Sequence, residues 1–495
     1  MAMLKRKLSP QSEMEFICIE ELVPSDHLLR KIDSSIDFSF IYEKVEGLYC
    51  VDNGRPPLDP VVFFKMLMIG YLFGVRSERQ LVRDIEVNLA YRWFLGFGLR
   101  NKIPNHSIFS QNRRRRFTGT TVFQDIFDEI VFQAIEQDLV DGRTLFTDST
   151  HLKASANKGR FERKEVTCST QQYMDALDAD VAEDRHAHGK EPLPDTEREA
   201  KVKEIRVSTT DPDSGYMVRD GKPTGFFYLD HRTVDDKHNI ITDVHVTPGN
   251  VNDNVPYLDR LDRQCERFDL KVEAVGLDAG YFTPAICKGL EERNIYGAIP
   301  HIRPHGARGG LKKTDFIYDE HFDCYLCPQN KVLEYATTNR QGYRKYLSRA
   351  SDCRNCPVLH QCTKSKNHRR EIKRHVWDGH KEAVTEHSYE PRGKALHKRR
   401  RETVERSFAD AKQLHGHRYA RYRGIERARE QCLMAAICQN IKKMAFRGKK
   451  ATTDDFLKGL KTFMRGLCAH VLSLCPQKKQ TNRLNQLQRI PMPVH

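Results

Sequence analysis

A chain of 495 residues, 39% of them hydrophobic, is long enough to bury a large core and to hold two or three domains. Its 82 Lys and Arg against 67 Asp and Glu leave a formal charge of +15, which favours a polyanionic partner, nucleic acid first. A membrane-spanning helix is not expected, because the most apolar run, Val61 to Phe73, contains Lys65, falls short of the about 18 residues a span requires and reads better as a buried helix. The basic start MAMLKRKLSPQSEMEF lacks the apolar stretch of a secretory signal. The 14 cysteines do not form the framework of a small secreted disulfide protein, so a reducing cytoplasm is expected.

Residues 1–140 are expected to form an all-α domain. DHLLRKIDSSIDFSFIYEKV, the Val61 to Phe73 run, SERQLVRDIEVNLAYRWFLG and VFQDIFDEIVFQAIEQ all carry apolar residues at 3/4 spacing, with Ser or Asp at the starts. Between the last two lies IPNHSIFSQNRRRRF. Pro104, a polar turn and the run Arg113, Arg114, Arg115, Arg116 fit either a turn and helix entering a DNA groove or a solvated basic face.

From 141 the periodicity changes. GRTLFTDSTHLKA starts as a short strand ending at Asp148, followed by the β-type runs TGFFYLDHRTVDD, NIITDVHVTPG, VEAVGLDAGY and IYGAIP. Two helical segments, VNDNVPYLDRLDRQCERF and TPAICKGLEERN, alternate with the later strands, so 141–300 together with 396–446 is expected to be a mixed α/β sheet domain. The charge-rich stretch at about 154–222 is expected to be an exposed, partly helical insertion. A second insertion, 301–395, contains CYLC (Cys324, Cys327) and CRNC (Cys353, Cys356), followed by Cys362. Paired CxxC knuckles can place four thiolates about one structural Zn²⁺, with Cys362 as a substitute ligand.

HKRRRETVERSFADAK (His397 to Lys412) reads as one helix. At about 100° per residue, Glu405 and Lys412 fall within about 40° of Arg401, beside the apolar Val404 and Phe408. A carboxylate is thus placed among cations next to the buried face. The following HGHRYARYRG offers Arg421 and Arg423 to phosphate, with tyrosines for stacking or for packing. Residues 447–495 are expected to form an amphipathic C-terminal helix and a loose tail.

Asp148 and Asp278 each close an expected strand, where sites of α/β sheets collect, and Glu405 completes a trio. Three converging carboxylates repel unless hard cations sit among them, so Mg²⁺ (or Mn²⁺) is the expected cofactor, suited to two-metal displacement at a phosphodiester. Asp235, Asp236, Asp243 and Asp253 are rivals for the second aspartate, and Glu402 is the rival for Glu405. GLDAGY favours Asp278, because an apolar strand feeds straight into a tight glycine turn.

In FTDSTHLKASANK, GLDAGYFTP and RETVERSFADAK, the chain resembles the DDE transposases of bacterial insertion sequences. Similar too are DNGRPPLDPVVFFKMLMIGYLFGVRSERQLVRDIEVNLAYRWFLG and YRGIERAREQCLMAAICQNIKK, so the resemblance covers roughly residues 15 to 445. It implies an RNase H-like (retroviral-integrase-like) catalytic domain. It also implies that Asp148, Asp278 and Glu405 hold the catalytic metal, with Arg401 and Lys412 as DNA-contacting neighbours. A related signature carries Tyr three residues before the arginine, where this chain has Lys398. The implied protein is a bacterial, nucleoid-associated transposase. It would cleave double-stranded element ends, join 3′ hydroxyls to target DNA and act as a homodimer on DNA. Similar transposases also carry cysteine-rich insertions. Two other readings stay open: a non-catalytic DNA-binding relative, and a structure-selective RNase H-like nuclease.

Overall fold

The computed structural model describes residues 17–49, 57–168, 171–194, 201–218, 221, 223–300 and 310–447. The C-terminal helix and tail expected beyond 447 lie outside the described residues. The apolar run forms helix Pro60–Leu72. Pro60 occupies the first turn, where a missing N–H costs nothing, and the Asp59 carboxylate accepts the N–H groups of Val61 and Val62 at 2.7 and 3.1 Å. The helix is buried around most of its circumference, as a sequence apolar on all sides requires. Lys65 is accommodated by an ion pair to Asp33 at 2.7 Å and by the rings of Phe38 and Phe94 beneath its ammonium.

Helix Ile425–Arg447 packs on Pro60–Leu72, on Val122–Glu136 and on the sheet. Residues Gln431 to Ile441 of this helix are all buried, which places it inside the molecule. One apolar core therefore runs from Leu29 to Met444 through both the N-terminal helices and the sheet. The large sheet is thus braced by helices that precede it and by one that follows it in the chain.

Eight strands form the large sheet: β1 (Thr144–Lys153), β2 (Phe161–Cys168), β3 (Lys201–Ser208), β4 (Gly215–Met217), β5 (Gly225–Asp235), β6 (Ile241–Pro248), β7 (Ala274–Gly276) and β8 (Tyr296–Ala298). Their order is β2-β3-β4-β5-β1-β7-β8, with β6 on the later half of β5. The path β6-β5-β1-β7-β8 has three antiparallel strands followed by two parallel ones, with helices Tyr257–Phe268 and Pro284–Glu292 in the crossovers. This is the RNase H-like arrangement. Every residue of β5 is buried, in keeping with its central place.

Two expectations are corrected by pairing. The first strand does not stop at Asp148 but continues to Lys153, because β5 pairs with it antiparallel from Leu145 through Lys153. What ends near Asp148 is the parallel neighbour β7, whose last pair is Phe146 with Gly276. The charged stretch at 154–222 is not simply an exposed insertion. β2, β3 and β4 extend the large sheet, and helix Gln171–Ala187 docks on the cysteine-rich insertion.

That insertion is a five-stranded antiparallel sheet of β9 (Ile317–Asp319), β10 (Cys324–Leu326), β11 (Val332–Thr338), β12 (Tyr343–Ser348) and β13 (Glu371–His375), in order β13-β12-β11-β10-β9. Phe316, Tyr325, Leu333, Tyr346 and Ile372 make its small core. The docking joins an apolar cluster of Leu177, Val181 and Trp377 to a set of polar contacts. Buried Asp184 takes Arg344 at 2.6 Å and Thr338 Oγ1 at 2.5 Å, His188 Nε2 donates to Asp323 Oδ2 at 2.6 Å, and Asp180 binds both Lys288 and Trp377. Asp180 thereby ties the insertion to helix Pro284–Glu292, which joins β7 to β8.

Candidate active site

Two residues past the paired Phe146 and Gly276 stand Asp148 on β1 and Asp278 just after β7, so the register sets the two aspartates level on adjacent strands. The approach is close: a Cβ on Gly276 would lie 2.5 Å from the Phe146 ring, so only glycine fits. Asp278 caps the 3₁₀ turn Ala279–Tyr281, its Oδ1 accepting from Ala279 N at 2.7 Å. Asp148 Oδ1 accepts from Ser149 N at 2.8 Å.

Glu405 arrives from a continuous helical segment: Pro391–Arg400, a π-type turn Arg401–Glu405, then Arg406–Leu414. Arg400 Nη2 donates to Asp148 Oδ2 and Nη1 to Glu405 Oε1, both at 2.7 Å. One guanidinium therefore bridges the first and third members of the expected trio. Glu402 faces elsewhere, 3.3 Å from Arg399, which is itself held by Asp236. Two further rivals are also committed: Asp235 accepts the N–H groups of Gly142 and Asp141, and Asp243 pairs with Arg260 at 2.6 Å.

Burial pushes the Asp148 carboxyl up to about 6 despite Arg400 and the Ser149 N–H, and Asp278 and Asp253 add to the rise. Asp253, from the loop after β6, is thus a fourth acid in the field of the site. A cavity of about 440 Å³ opens here, lined by Asp148, Ser149, Glu405, Lys412 and Arg418 among others. Arg401 is exposed and does not line this cavity, whereas Lys412 is on its wall. Arg400 was the functional candidate hardest to find from sequence, whereas Asp253 already stood among the rival acids. Asp253 follows a strand in GNVND, as a loop acid would, but nothing local marks Arg400 among its neighbours.

A buried network supports the helical segment that carries Glu405. Arg232, paired across strands with Asp148, binds Asp230 at 2.8 Å and lies 3.4 Å from Ser407 Oγ and 5.1 Å from the Phe408 ring centroid. His417 Nε2 meets the same Asp230 oxygen at 2.8 Å. Burial alone would raise the Asp230 carboxyl, but Arg232 and His417 hold it well below the usual carboxylate range. Asp230, His417 and Cys432 lie close enough to suggest a metal, yet the guanidinium sharing Asp230 supplies the positive charge. The cluster is a structural ion network.

The expected DNA-contacting arginines separate by burial. Arg113 is 6% exposed and pairs with Glu78 and Glu430, with Tyr422 hydroxyl at 2.8 Å, so it joins the helical region to the C-terminal part of the domain and does not face DNA. Arg421 likewise stacks on Tyr71, 3.9 Å from its centroid. Arg116 lies over Tyr49 and binds Asn112. Arg114, Arg115 and Arg423 are exposed, the last donating to Ser155 O at 3.2 Å. Arg113→Ala should cost about 3 kcal/mol by leaving two glutamates without their shared partner. Arg114→Ala should stay within about 0.5 kcal/mol. Denaturant unfolding of both variants checks the contrast; equal losses would refute the assignment of Arg113.

The cysteines also sort by position. Cys327, Cys353, Cys356 and Cys362 line one small cavity with Phe316 and Arg370. Cys324 opens onto a different cavity, with His188 and Asp319. Burial raises the Cys362 thiol, Arg370 opposes this, and Cys353, Cys356 and Cys327 raise it further, as expected of four neighbouring thiols. Cys327 Sγ also accepts the N–H of Lys331 at 3.3 Å.

Residues 17–115 match the family described as a transposase domain (DUF772), and residues 326–445 match a transposase DDE domain. No curated protein matches the chain. Among solved structures, the piggyBac transposase synaptic complex with hairpin DNA aligns over 92% of this chain and 82% of that one, at 10% identity and a TM-score of 0.31. The Mos1 transposase paired-end complex with left transposon end aligns over 50% and 61%, at 14% identity and a TM-score of 0.16. No helix among the described residues is long and apolar enough to cross a membrane.

Proposed function

We propose that this chain, a DNA transposase of the DDE class by the two transposase domains it carries, cleaves the ends of a mobile element and joins the 3′ hydroxyls to target DNA. The observation that carries the reading is the convergence of Asp148 and Glu405 on one cation, with Asp278 level beside Asp148. Four acids contribute to this site, Asp253 included, against one bridging guanidinium. Such a donor set suits hard divalent cations, and burial of Asp148 with acids around it is the strain that such a cation relieves. Asp148, Asp278 and Glu405 would hold Mg²⁺ or Mn²⁺. Bound there, the ions would activate the attacking oxygen and offset charge on the phosphoryl oxygens.

The chain's own residues do the rest. Lys412 and Arg418 on the cavity wall attract the phosphate at the site, while Arg401, Arg114, Arg115 and Arg423 offer exposed cations to flanking backbone. The buried Arg232 network keeps the Glu405 helix seated on β1 and β5. Double-stranded DNA is the partner, and a homodimer holding two ends is part of the proposal. The cysteine-rich sheet is assigned one structural Zn²⁺.

The test uses full-length protein, duplexes carrying the element's terminal sequences, and Mg²⁺. Release of 3′ hydroxyl ends followed by their joining to a second duplex is expected. Cleavage without joining would favour the nuclease reading, and binding without either would favour a non-catalytic DNA-binding protein. Affinity should also fall with salt, about 10³-fold between roughly 50 and 200 mM if six phosphates are neutralised. A flat salt profile would remove the electrostatic part of the proposal.

A further inference from the structure

We propose that Arg400 is a built-in counter-ion that holds the cation position between Asp148 and Glu405, so that a divalent metal and this guanidinium exclude one another there. The inference rests on the metal-holding role given above to Asp148, Asp278 and Glu405, and it adds a step: the metal enters by displacing Arg400.

The first support is geometric. In an ordinary α-helix, residues five apart point about 140° from each other and cannot share a ligand group. The π-type turn Arg401–Glu405 changes this. Its wider winding brings Arg400 and Glu405 to the same side, so that the pair closes at 2.7 Å. The turn lies directly between the two residues it brings together.

The second support is the way the oxygens are used. Asp148 Oδ1 is taken by the Ser149 N–H and Oδ2 by Arg400, while Glu405 Oε1 is taken by the other Nη of the same fork. A cation that binds both carboxylates through these inward oxygens must take the place of the guanidinium. The third is incomplete satisfaction. Arg400 is 9% exposed, yet its Nε is buried without a hydrogen-bond partner. Its single charge serves two carboxylates, and Asp148 also feels the charges of Asp278 and Asp253. A dication matches this field better than one guanidinium does. Arg400 therefore keeps the carboxylates together before metal arrives and yields to it.

The experiment measures Mn²⁺ binding by electron paramagnetic resonance at pH 8, without DNA, for the full chain and for Arg400→Met, Arg400→Lys, Glu405→Gln and Asp148→Asn. Arg400→Met should bind Mn²⁺ at least about tenfold more tightly than the parent, the equivalent of one charge-assisted hydrogen bond no longer displaced. Arg400→Lys should fall between them. Thermal melting supplies the second readout: Arg400→Met should melt lower than the parent without metal and recover with Mn²⁺. Unchanged or weaker Mn²⁺ binding in a folded Arg400→Met protein would overturn the displacement, since Arg400 would then be a permanent support of the site. If no Mn²⁺ binding depends on Asp148 or Glu405 in any protein, the metal-site reading itself fails and this inference with it. Binding that depends on both carboxylates but ignores Arg400 overturns the counter-ion alone.

Discussion

Glu405→Gln should bind element-end DNA as the parent does and lose cleavage and strand joining by at least about a thousandfold. Glutamine has nearly the helix propensity of glutamate, and the neighbouring Val404 and Phe408 keep their buried contacts, so the helix remains seated. Arg400 also keeps its bond to Asp148. What disappears is a negative charge beside the cavity, and with it one of the carboxylates assigned to the catalytic ions. An unassisted phosphodiester reacts so slowly that loss of charge stabilisation appears in the chemical step. The measurement pairs a gel assay of 3′ hydroxyl release and joining in Mg²⁺ with a binding titration in chelator. A Glu405→Gln protein that cleaves at the parental rate would reduce this glutamate to a salt-bridge partner of Arg400. Glu402→Gln is the internal comparison: its carboxylate pairs with Arg399 away from Asp148, and activity should remain within a few-fold of the parent.

The second large effect concerns zinc. Freshly purified, reduced protein should contain about one Zn²⁺ per chain, held by Cys327, Cys353, Cys356 and Cys362. Cys353→Ser and Cys362→Ser should each empty the site, whereas Cys324→Ser should retain the metal, because Cys324 lies on another cavity. Among the described residues the apolar core of this sheet has five buried side chains, too few to hold it firmly without a staple. Loss of zinc should therefore raise amide exchange across β9 to β13 while β1 and β5 of the large sheet stay protected. Zinc analysis and hydrogen exchange on the three variants decide the matter. Zinc lost from Cys324→Ser but kept by Cys362→Ser would favour the two CxxC pairs as the ligand set, and protein with no zinc would leave four packed thiols.

The contrast between those two ligand sets shows how far local pattern reaches. Cys324 and Cys327 look equivalent in CYLC, but Cys324 lies within β10 and Cys327 just beyond it. Strand and turn thus direct them to different cavities. Spacing along a chain carries no information about which side of a strand a thiol occupies once a turn intervenes. The same holds for RRRR at 113–116, where four identical side chains divide into one buried ion-pair partner, one packed on a tyrosine and two exposed. Local sequence identified the basic run, and only packing against Glu78, Glu430 and Tyr422 removed Arg113 from the surface.

By itself the sequence determined the helical N-terminal region, the burial of the Val61 to Phe73 run and the mixed sheet, and it proposed the three acids of the expected site. These follow from periodicity, from strand and turn chemistry and from short motifs, all of which act over a few residues. Tertiary structure decided the rest. It carried β1 past Asp148, because strand length is set by the partner β5 and not by the strand's own residues. It merged the helices and the sheet into one core, since the buried face of Ile425–Arg447 meets surfaces more than three hundred residues away in the chain. It also chose Arg400 over Arg401 as the cation between Asp148 and Glu405. A helical wheel assumes one constant pitch, whereas the π-type turn between residues 401 and 405 changes the phase, bringing together two side chains that a regular helix would hold apart.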